Sequence, residues 1–361
     1  MNDGPYRLGI MLGDGIGPEI VPAARLTVDR AVEAVGAPAI EWIPLPMGAS
    51  ALAELGSAMP MRNKEVLAGC DGWLIGPHDS ASYPDEWHQR RERPPGGELR
   101  HHFSLYSNVR PSRNRPNVPS VAKDVDLVTV RENTEGFYVD RNMRHGSGEF
   151  MPTDDVALVV GVFTRTAIRR IAKAAFELAS TRRKHVSIVH KSNVIPMAFG
   201  MFVEECRNVG ADYPDVQVDD FLFDAFTAHL VRHPQRFDVL VTENMFGDTI
   251  SDLAGELVGG LGMSPSLNHS DEHAMAQAAH GSAPDIGGQG IGNPVGIILS
   301  SAMLLEWLGK RRKDGRLIEA AQRLERAVDA TLESGTRTRD LGGAASTTEF
   351  AKVVGEATSH V

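Results

Sequence analysis

The chain has 361 residues, 42 % of them hydrophobic and 23 % charged, with a formal net charge of −10. That length exceeds what one hydrophobic core usually fills, so two lobes are expected. The acidic balance argues against nucleic acid as a main partner, because affinity for phosphate backbones comes largely from Lys and Arg. An anionic substrate would need a local basic pocket inside the acidic whole. The two cysteines, Cys70 and Cys206, sit in no CxxC or zinc-type spacing, which predicts idle thiols in a reducing cytoplasm. No window approaches ~20 apolar residues, so no transmembrane helix is expected. The first residues lack the basic-then-apolar profile of a signal peptide.

In chain order, an apolar run at 7–12 leads into Gly13-Asp14-Gly15-Ile16-Gly17-Pro18-Glu19 and a helical stretch to about Val35. Pro18 and Glu19 suit a first helical turn. Apolar runs at 72–75, 127–130, 186–189 and 239–242 each end in a polar cluster: Gly76-Pro77, then residues 131–136, then His190-Lys191-Ser192-Asn193, then residues 243–248. Strands alternating with helical stretches predict an α/β protein with a mostly parallel sheet, whose ligands gather at the C-terminal strand ends. Longer helices are expected at 164–178, 193–209 and 294–308. The polar segment 138–152, with Gly146 and Gly148, suggests a hairpin or arm. The stretch 89–97, QRRERPPGG, is the most linker-like.

Asp248 and Asp252 stand four apart, on one face of any helix that holds them. Gly247 before them suggests that the helix starts there, and a capping aspartate beside a solvated one explains the spacing equally well. Asp224 tips the balance. It interrupts the run Phe221-Leu222-Phe223-Asp224-Ala225-Phe226, where a carboxylate is costly unless paired or metal-bound. Three convergent carboxylates would suit Mg²⁺ or Mn²⁺. Lys191, after a strand, and Tyr138 are candidate acid–base groups, though such residues alone are more often a surface lysine or a packed tyrosine. Arg100, Arg110 and Arg131 are candidate carboxylate clamps. The glycines from Gly13 fail the GxGxxG dinucleotide fingerprint, because the third glycine falls on Pro18. His280-Gly281-Ser282-Ala283-Pro284-Asp285 is a second Gly-containing loop, either an ordinary turn or a site whose acid meets a ribose diol and repels a 2′-phosphate.

Taken together, GDGIGPE at 13–19, LR at 99–100, NVRP at 108–111, RENTEGFY at 131–138, HKSN at 190–193, ENMFGDTISD at 243–252, GLGMSPS at 260–266 and HGSAPDIGGQGIGNP at 280–294 resemble the isocitrate and 3-isopropylmalate dehydrogenases, a family of β-decarboxylating dehydrogenases. The resemblance covers nearly the whole chain. It implies a two-lobed isopropylmalate-dehydrogenase-like fold with a non-Rossmann nucleotide site. One lobe would comprise residues 1–98 plus 256–361, and the other, carrying metal and dimer contacts, residues 99–255 with an arm near 138–152.

The same resemblance implies a division of roles. Asp224, Asp248 and Asp252 would bind Mg²⁺ or Mn²⁺. Arg100, Arg110 and Arg131 would hold substrate carboxylates. Tyr138 and Lys191 would be the catalytic pair. His280, Gly281, Ser282, Ala283, Pro284 and Asp285, with Asn293, would bind the nucleotide. NADP-linked relatives carry lysine and tyrosine where this chain has Asp285 and Ile286, so NAD is expected. A homodimer with shared active sites is implied, Lys191 and Asp224 reaching the partner's site.

The implied reaction is oxidation and decarboxylation of a malate-type 2-hydroxy diacid. The residues just before the first substrate arginine read its C3 substituent. Here they are Arg93-Pro94-Pro95-Gly96-Gly97-Glu98-Leu99, which match neither the isocitrate nor the isopropylmalate pattern, and Pro77-His78-Asp79-Ser80 departs as well. Arg90, Arg91 and Arg93 could meet an extra anion or be solvated. The reading leans to an isopropylmalate-dehydrogenase-like paralogue, with isocitrate, D-malate, tartrate and homoisocitrate open. A catalytically silent regulatory subunit would have lost the site, whereas Tyr138, Lys191 and all three aspartates are present. A plain nucleotide-binding module would form no NADH from any diacid.

Overall fold

The computed structural model describes residues 4–138, 140, 142, 143 and 146–361. Twelve strands are described: β1 (Tyr6–Met11), β2 (Ile40–Pro44), β3 (Gly72–Ile75), β4 (Ser107–Arg113), β5 (Asp126–Glu132), β6 (Glu149–Thr153), β7 (Val156–Val159), β8 (His185–His190), β9 (Gln217–Leu222), β10 (Val239–Thr242), β11 (Leu267–His269) and β12 (Ala274–Ala276). Ten of them form one sheet in the order β2-β1-β3-β12-β11-β4-β5-β10-β8-β9. Both flanks are parallel, and the antiparallel pairings lie in the middle, along β12-β11-β4-β5. The mostly parallel α/β expectation is met. The reason is visible in β3 and β10, which are buried on both faces and read as short, mostly apolar runs.

Apolar side chains gather on the two halves of this sheet. One core joins β1 and helix Gly17–Ala34 to residues 263–354, while another is drawn wholly from residues 125–258. The expected helices appear as Arg165–Ser180, Pro196–Gly210 and Val295–Arg312. Thr164 caps the first of them, accepting from the Ala167 backbone N–H.

Three local readings are corrected. Residues 89–97 are not a linker, because helix Pro95–His102 starts inside them and Pro95, Gly96 and Gly97 are buried. Helix Asn244–Val258 starts one turn before Gly247, with the Glu243 carboxylate accepting from the Met245 and Phe246 backbone N–H groups. Gly247 is instead required for space, since a Cβ there would lie 2.6 Å from Cγ of Arg131. The hairpin or arm expected over 138–152 overlaps only at its end with the antiparallel hairpin β6–β7, which spans 149–159 and is exposed along both strands. Val139, Arg141, Arg144 and His145 of the expected segment lie outside the described residues.

The glycines of GDGIG serve close backbone approach. Gly13 and Gly15 have φ of 72° and 58°, a region that glycine enters without a steric penalty. A Cβ on Gly13 would sit 2.0 Å from the Pro77 carbonyl oxygen, and one on Gly15 would sit 2.0 Å from that of Ser282. The backbone N–H groups of Asp14 and Ile16 donate to those same carbonyls, each at 2.8 Å. The first loop thereby fixes the loops at 77–80 and 280–285, which border the site.

Candidate functional site

The β4–β5 register sets Arg131 opposite Asn108 and Arg110 opposite Thr129. Alternation then puts both arginines on one face of the sheet, under helix Asn244–Val258. Arg110 donates through Nε to Asn108 Oδ1 at 2.7 Å, and through Nη1 to Asp248 Oδ1 at 3.0 Å and Ser251 Oγ at 2.8 Å. Arg131 donates to Asn244 Oδ1 at 2.9 Å and to Asp248. Tyr138 donates from its phenol to Asp248 Oδ2 at 2.5 Å, and its ring lies 5.2 Å from the Arg131 guanidinium carbon. Arg100, on helix Pro95–His102, donates to Gln277 Oε1 at 3.3 Å.

These groups open on one cavity of about 210 Å³, lined among others by Arg100, Arg110, Arg131, Tyr138, Asp248, His280 and Gly281. Three guanidinium groups face one carboxylate there, giving the local positive excess that an acidic chain needs for an anionic ligand. Burial alone would raise the Asp248 carboxyl pKa. The charges of Arg131 and Arg110, then the Tyr138 hydrogen bond and the Arg100 charge, outweigh it and hold Asp248 well below the usual carboxylate range. Asp252, one turn on, sits 3.5 Å from Arg110. Burial lifts its pKa, Arg110 opposes that rise, and the Asp248 charge adds to it.

Lys191 and Asp224 lie outside this cavity and pair with each other at 2.6 Å. The expectation of a buried Asp224 is corrected. It occupies the first turn of helix Phe223–Arg232, and its side chain is 68 % exposed. The hydrogen bond from Lys191 lowers its pKa. Among the described residues of one chain, no group of three His, Cys, Asp or Glu converges to hold a metal ion. The three aspartates therefore do not meet within one subunit. Asp248 and Asp252 offer two carboxylates on one helix face, a donor set that suits a hard divalent ion completing its shell with water and ligand oxygens.

The loop at 280–285 borders the cavity through His280 and Gly281. His280 Nδ1 lies 2.9 Å from the Gly281 carbonyl oxygen, so Nδ1 carries the proton. Its Nε2 is buried with no hydrogen-bond partner, a free acceptor at the cavity wall. Burial pushes the ring pKa down, against the Gly281 hydrogen bond and the Asp340 charge. Ser282 is buried and fixed through its carbonyl to Ile16. Ala283 has φ of 41°, and Pro284 and Asp285 are exposed. Asn293 is buried, donating to Asp340 Oδ2 at 2.8 Å and accepting from the Val295 backbone N–H. The loop thus offers one unpartnered acceptor at the cavity wall, His280 Nε2, and one exposed carboxylate, Asp285, groups that suit the hydroxyl donors of a dinucleotide.

Sequence reasoning missed Asn108, Asn244, Ser251, His78 and Gln277. The first three orient the arginines, and Asn108 and Asn244 stood inside motifs already singled out. Gln277 gave only a weak signal, a polar residue at the end of a short apolar run. Arg90 and Arg93 are not free to read an extra anion. Arg90 pairs with Glu92 at 2.8 Å, while Arg93 donates to the carbonyls of Asp140 and Met143 and faces Glu98.

The fold and this cavity define an α/β protein with an arginine-rich site suited to an anion, and comparison with known proteins gives its family. The family model for isocitrate/isopropylmalate dehydrogenases matches residues 7–354. An isocitrate/homoisocitrate dehydrogenase of Thermus thermophilus is 43 % identical over 358 residues, covering 98 % of each chain. A 3-isopropylmalate dehydrogenase of Archaeoglobus fulgidus is 38 % identical, over 96 % of this chain and 98 % of its own. The crystal structure of isocitrate dehydrogenase from Methylococcus capsulatus superposes with a TM-score of 0.86 at 36 % identity, covering 98 % of this chain and 99 % of that one. The chain belongs to the isocitrate/isopropylmalate dehydrogenase family. No helix among the described residues is long and apolar enough to cross a membrane, and both cysteines are buried free thiols.

Proposed function

We propose that the chain is an NAD-linked, divalent-metal-dependent dehydrogenase that oxidises and decarboxylates a malate-type 2-hydroxy diacid, acting as a homodimer in a reducing cytoplasm. The observation that carries this is the convergence of Arg100, Arg110, Arg131, Tyr138 and Asp248 on one cavity. Three arginines match the carboxylates of a diacid, and family membership supports the reaction type. The division into lobes 1–98 plus 256–361 and 99–255 belongs to the same proposal, supported by the two separate cores.

Asp248 and Asp252 would hold Mg²⁺ or Mn²⁺, with Asp224 from the second copy as a third carboxylate. Loop 280–285 with Asn293 would hold NAD, Asp285 disfavouring the 2′-phosphate of NADP. A bound divalent ion would supply Lewis-acid polarisation of the substrate hydroxyl, and bound NAD would supply the acceptor for the C2 hydride. The arginines keep the carboxylates in register. Lys191 of the second copy accepts the hydroxyl proton. Tyr138, oriented by Asp248 and Arg131, supplies the proton to the carbon from which CO₂ leaves.

Shared sites are supported by where Lys191 and Asp224 stand, outside the cavity of their own chain. Val194 and Met197, just after Lys191, are 65 % and 91 % exposed, and the β6–β7 hairpin exposes Phe150, Met151, Leu158 and Val159. Such apolar surface suits a partner subunit. The test is NADH formation by the purified protein with Mn²⁺ or Mg²⁺ and isocitrate, homoisocitrate, 3-isopropylmalate, D-malate or tartrate, each with NAD and NADP. Chelator-sensitive turnover with NAD supports the proposal. NAD binding without turnover of any diacid would replace it with a binding role.

A further inference from the structure

We infer that Glu243 is a positioning residue: its carboxylate fixes Phe137 against the start of helix Asn244–Val258, and so aims the adjacent Tyr138 phenol at Asp248 on that helix. The inference rests on the reading above, in which Tyr138 supplies a proton at the site.

Glu243 is 1 % exposed. Its Oε1 accepts from the Phe246 backbone N–H at 2.7 Å. Its Oε2 accepts from those of Met245 at 3.1 Å and Phe137 at 3.4 Å. Among the described residues, every donor to this carboxylate is a backbone N–H. Burial raises its pKa above the usual glutamate range, against the Phe246, Met245 and Phe137 hydrogen bonds and the Arg131 charge.

Capping the helix does not explain the choice of glutamate. Asn, Asp, Ser and Thr are the preferred caps, and each reaches the second and third N–H groups of a helix with a shorter side chain. What the longer side chain adds is the third contact, to Phe137, which lies 106 residues earlier in the chain.

The facing loop is shaped to receive it. Gly136 has φ of 91°, and a Cβ there would lie 2.4 Å from Glu243 Oε2. Its left-handed backbone and the carboxylate beside it therefore both require glycine. Gly136 also exchanges two backbone hydrogen bonds with Val162, at 2.7 and 3.1 Å. Asn244 donates through Nδ2 to the Glu135 carbonyl at 3.0 Å. Residues 135, 136 and 137 are each held in turn, and Tyr138 follows directly. Its hydroxyl then reaches Asp248 Oδ2 on the helix that Glu243 caps. One helix thus carries both the anchor of residue 137 and the acceptor of residue 138. A reacting group misplaced by about 1 Å can lose about 10²-fold in rate, so this anchor bears on catalysis. The Phe137 ring supplies the competing explanation. It packs against Phe163 and Phe199, with centroids 5.4 and 6.3 Å away. If that packing alone holds the loop, Glu243 is only a cap.

The experiment measures kcat, the diacid KM and the Mn²⁺ dependence of the rate for wild type, Glu243→Asp and Glu243→Gln. Each variant is also combined with Tyr138→Phe, and urea unfolding midpoints are recorded alongside. The substrate is whichever of isocitrate, homoisocitrate, 3-isopropylmalate, D-malate and tartrate the wild type turns over fastest with NAD. Glu243→Asp keeps a charged cap of the preferred kind but is one methylene too short for Phe137. Glu243→Gln keeps the length and one capping acceptor, but presents an amide N–H where two N–H groups need an oxygen. Both should lower kcat by about 10- to 100-fold, with the diacid KM and Mn²⁺ dependence near wild type. In the Tyr138→Phe background neither should cause a further loss, because Glu243 acts through that phenol. Wild-type kcat in both variants overturns the inference and leaves the ring packing as the anchor. Equal losses with and without the Tyr138 hydroxyl also overturn it, as does a loss carried by KM or by Mn²⁺ affinity, since Glu243 would then act through the helix as a whole. These results leave the dehydrogenase reading intact. Wild-type turnover in Tyr138→Phe alone, or no turnover of any diacid by the wild type, removes that reading and the inference with it.

Discussion

The Tyr138 phenol lies 2.5 Å from Oδ2 of Asp248 and donates to it, while Oδ1 of the same carboxylate is held by Arg110 and Arg131. One aspartate thus ties a candidate proton donor to two candidate substrate clamps. The two arginines hold the Asp248 pKa well below the usual carboxylate range, and its carboxylate accepts the Tyr138 hydrogen bond.

Replacing Tyr138 by Phe keeps the ring over Arg131 but removes the proton. Overall turnover should fall by about 10²- to 10⁴-fold, the usual worth of a positioned acid. NAD binding, followed by calorimetry in the presence of Mn²⁺, should be retained. Wild-type turnover in this variant would remove Tyr138 from the mechanism.

If Lys191 serves the partner's site, two inactive variants should complement each other. Refolding Tyr138→Phe together with Lys191→Ala in equal amounts should restore about a quarter of wild-type activity, because half the dimers are mixed and each carries one intact site. Sites complete within one chain would give no recovery. Gel filtration of the mixture checks that dimers form.

Arg110 and Arg131 are almost fully buried, and Asp248 is their shared counter-charge. Asp248→Asn should destabilise the metal-free protein by about 2–4 kcal/mol, measured by urea denaturation. Asp252→Asn should be neutral or slightly stabilising under the same conditions. Burial and the neighbouring Asp248 charge already raise the Asp252 pKa, so its ionised form is disfavoured there. Equal effects of the two substitutions would contradict this division.

His185 on β8 reports the pH dependence of stability. The hydrogen bond to Asp219, 3.1 Å away, raises its pKa above 6.5 against the opposing effect of burial; the Asp219 and Asp238 charges support the rise and Arg236 opposes it. A group whose folded pKa is raised stabilises fully below its unfolded pKa and loses that contribution as pH rises through the folded value. The difference in denaturation midpoint between wild type and His185→Gln should therefore be largest near pH ~6 and shrink by pH ~8.5. A difference independent of pH would mean that the ring acts through packing alone.

Much of the architecture was legible because buried parallel strands write themselves as apolar runs, as at 72–75 and 239–242, and their polar ends mark the ligand side. Failures came where one residue type serves two physical ends. Gly247 reads as a helix start, yet it is there to admit the Arg131 side chain beneath the helix. Asp224 reads as a buried carboxylate because phenylalanines flank it. The change from strand β9 to a helix at Phe223 turns it outward instead. The prolines and charges of 89–97 read as a linker, but Pro94 and Pro95 begin a buried helix, where proline is well suited.

By itself the sequence determined the chemical inventory and its order along the chain. It specified which arginines, aspartates, tyrosine and lysine exist, and which strands must be buried, because those depend on local pattern and residue type. Only the tertiary structure decided their grouping. Arg110 and Arg131 meet through the β4–β5 register, and Asp248, more than a hundred residues on, reaches them from the covering helix, with Arg100 and Tyr138 closing the cavity. Lys191 and Asp224 stay outside that cavity.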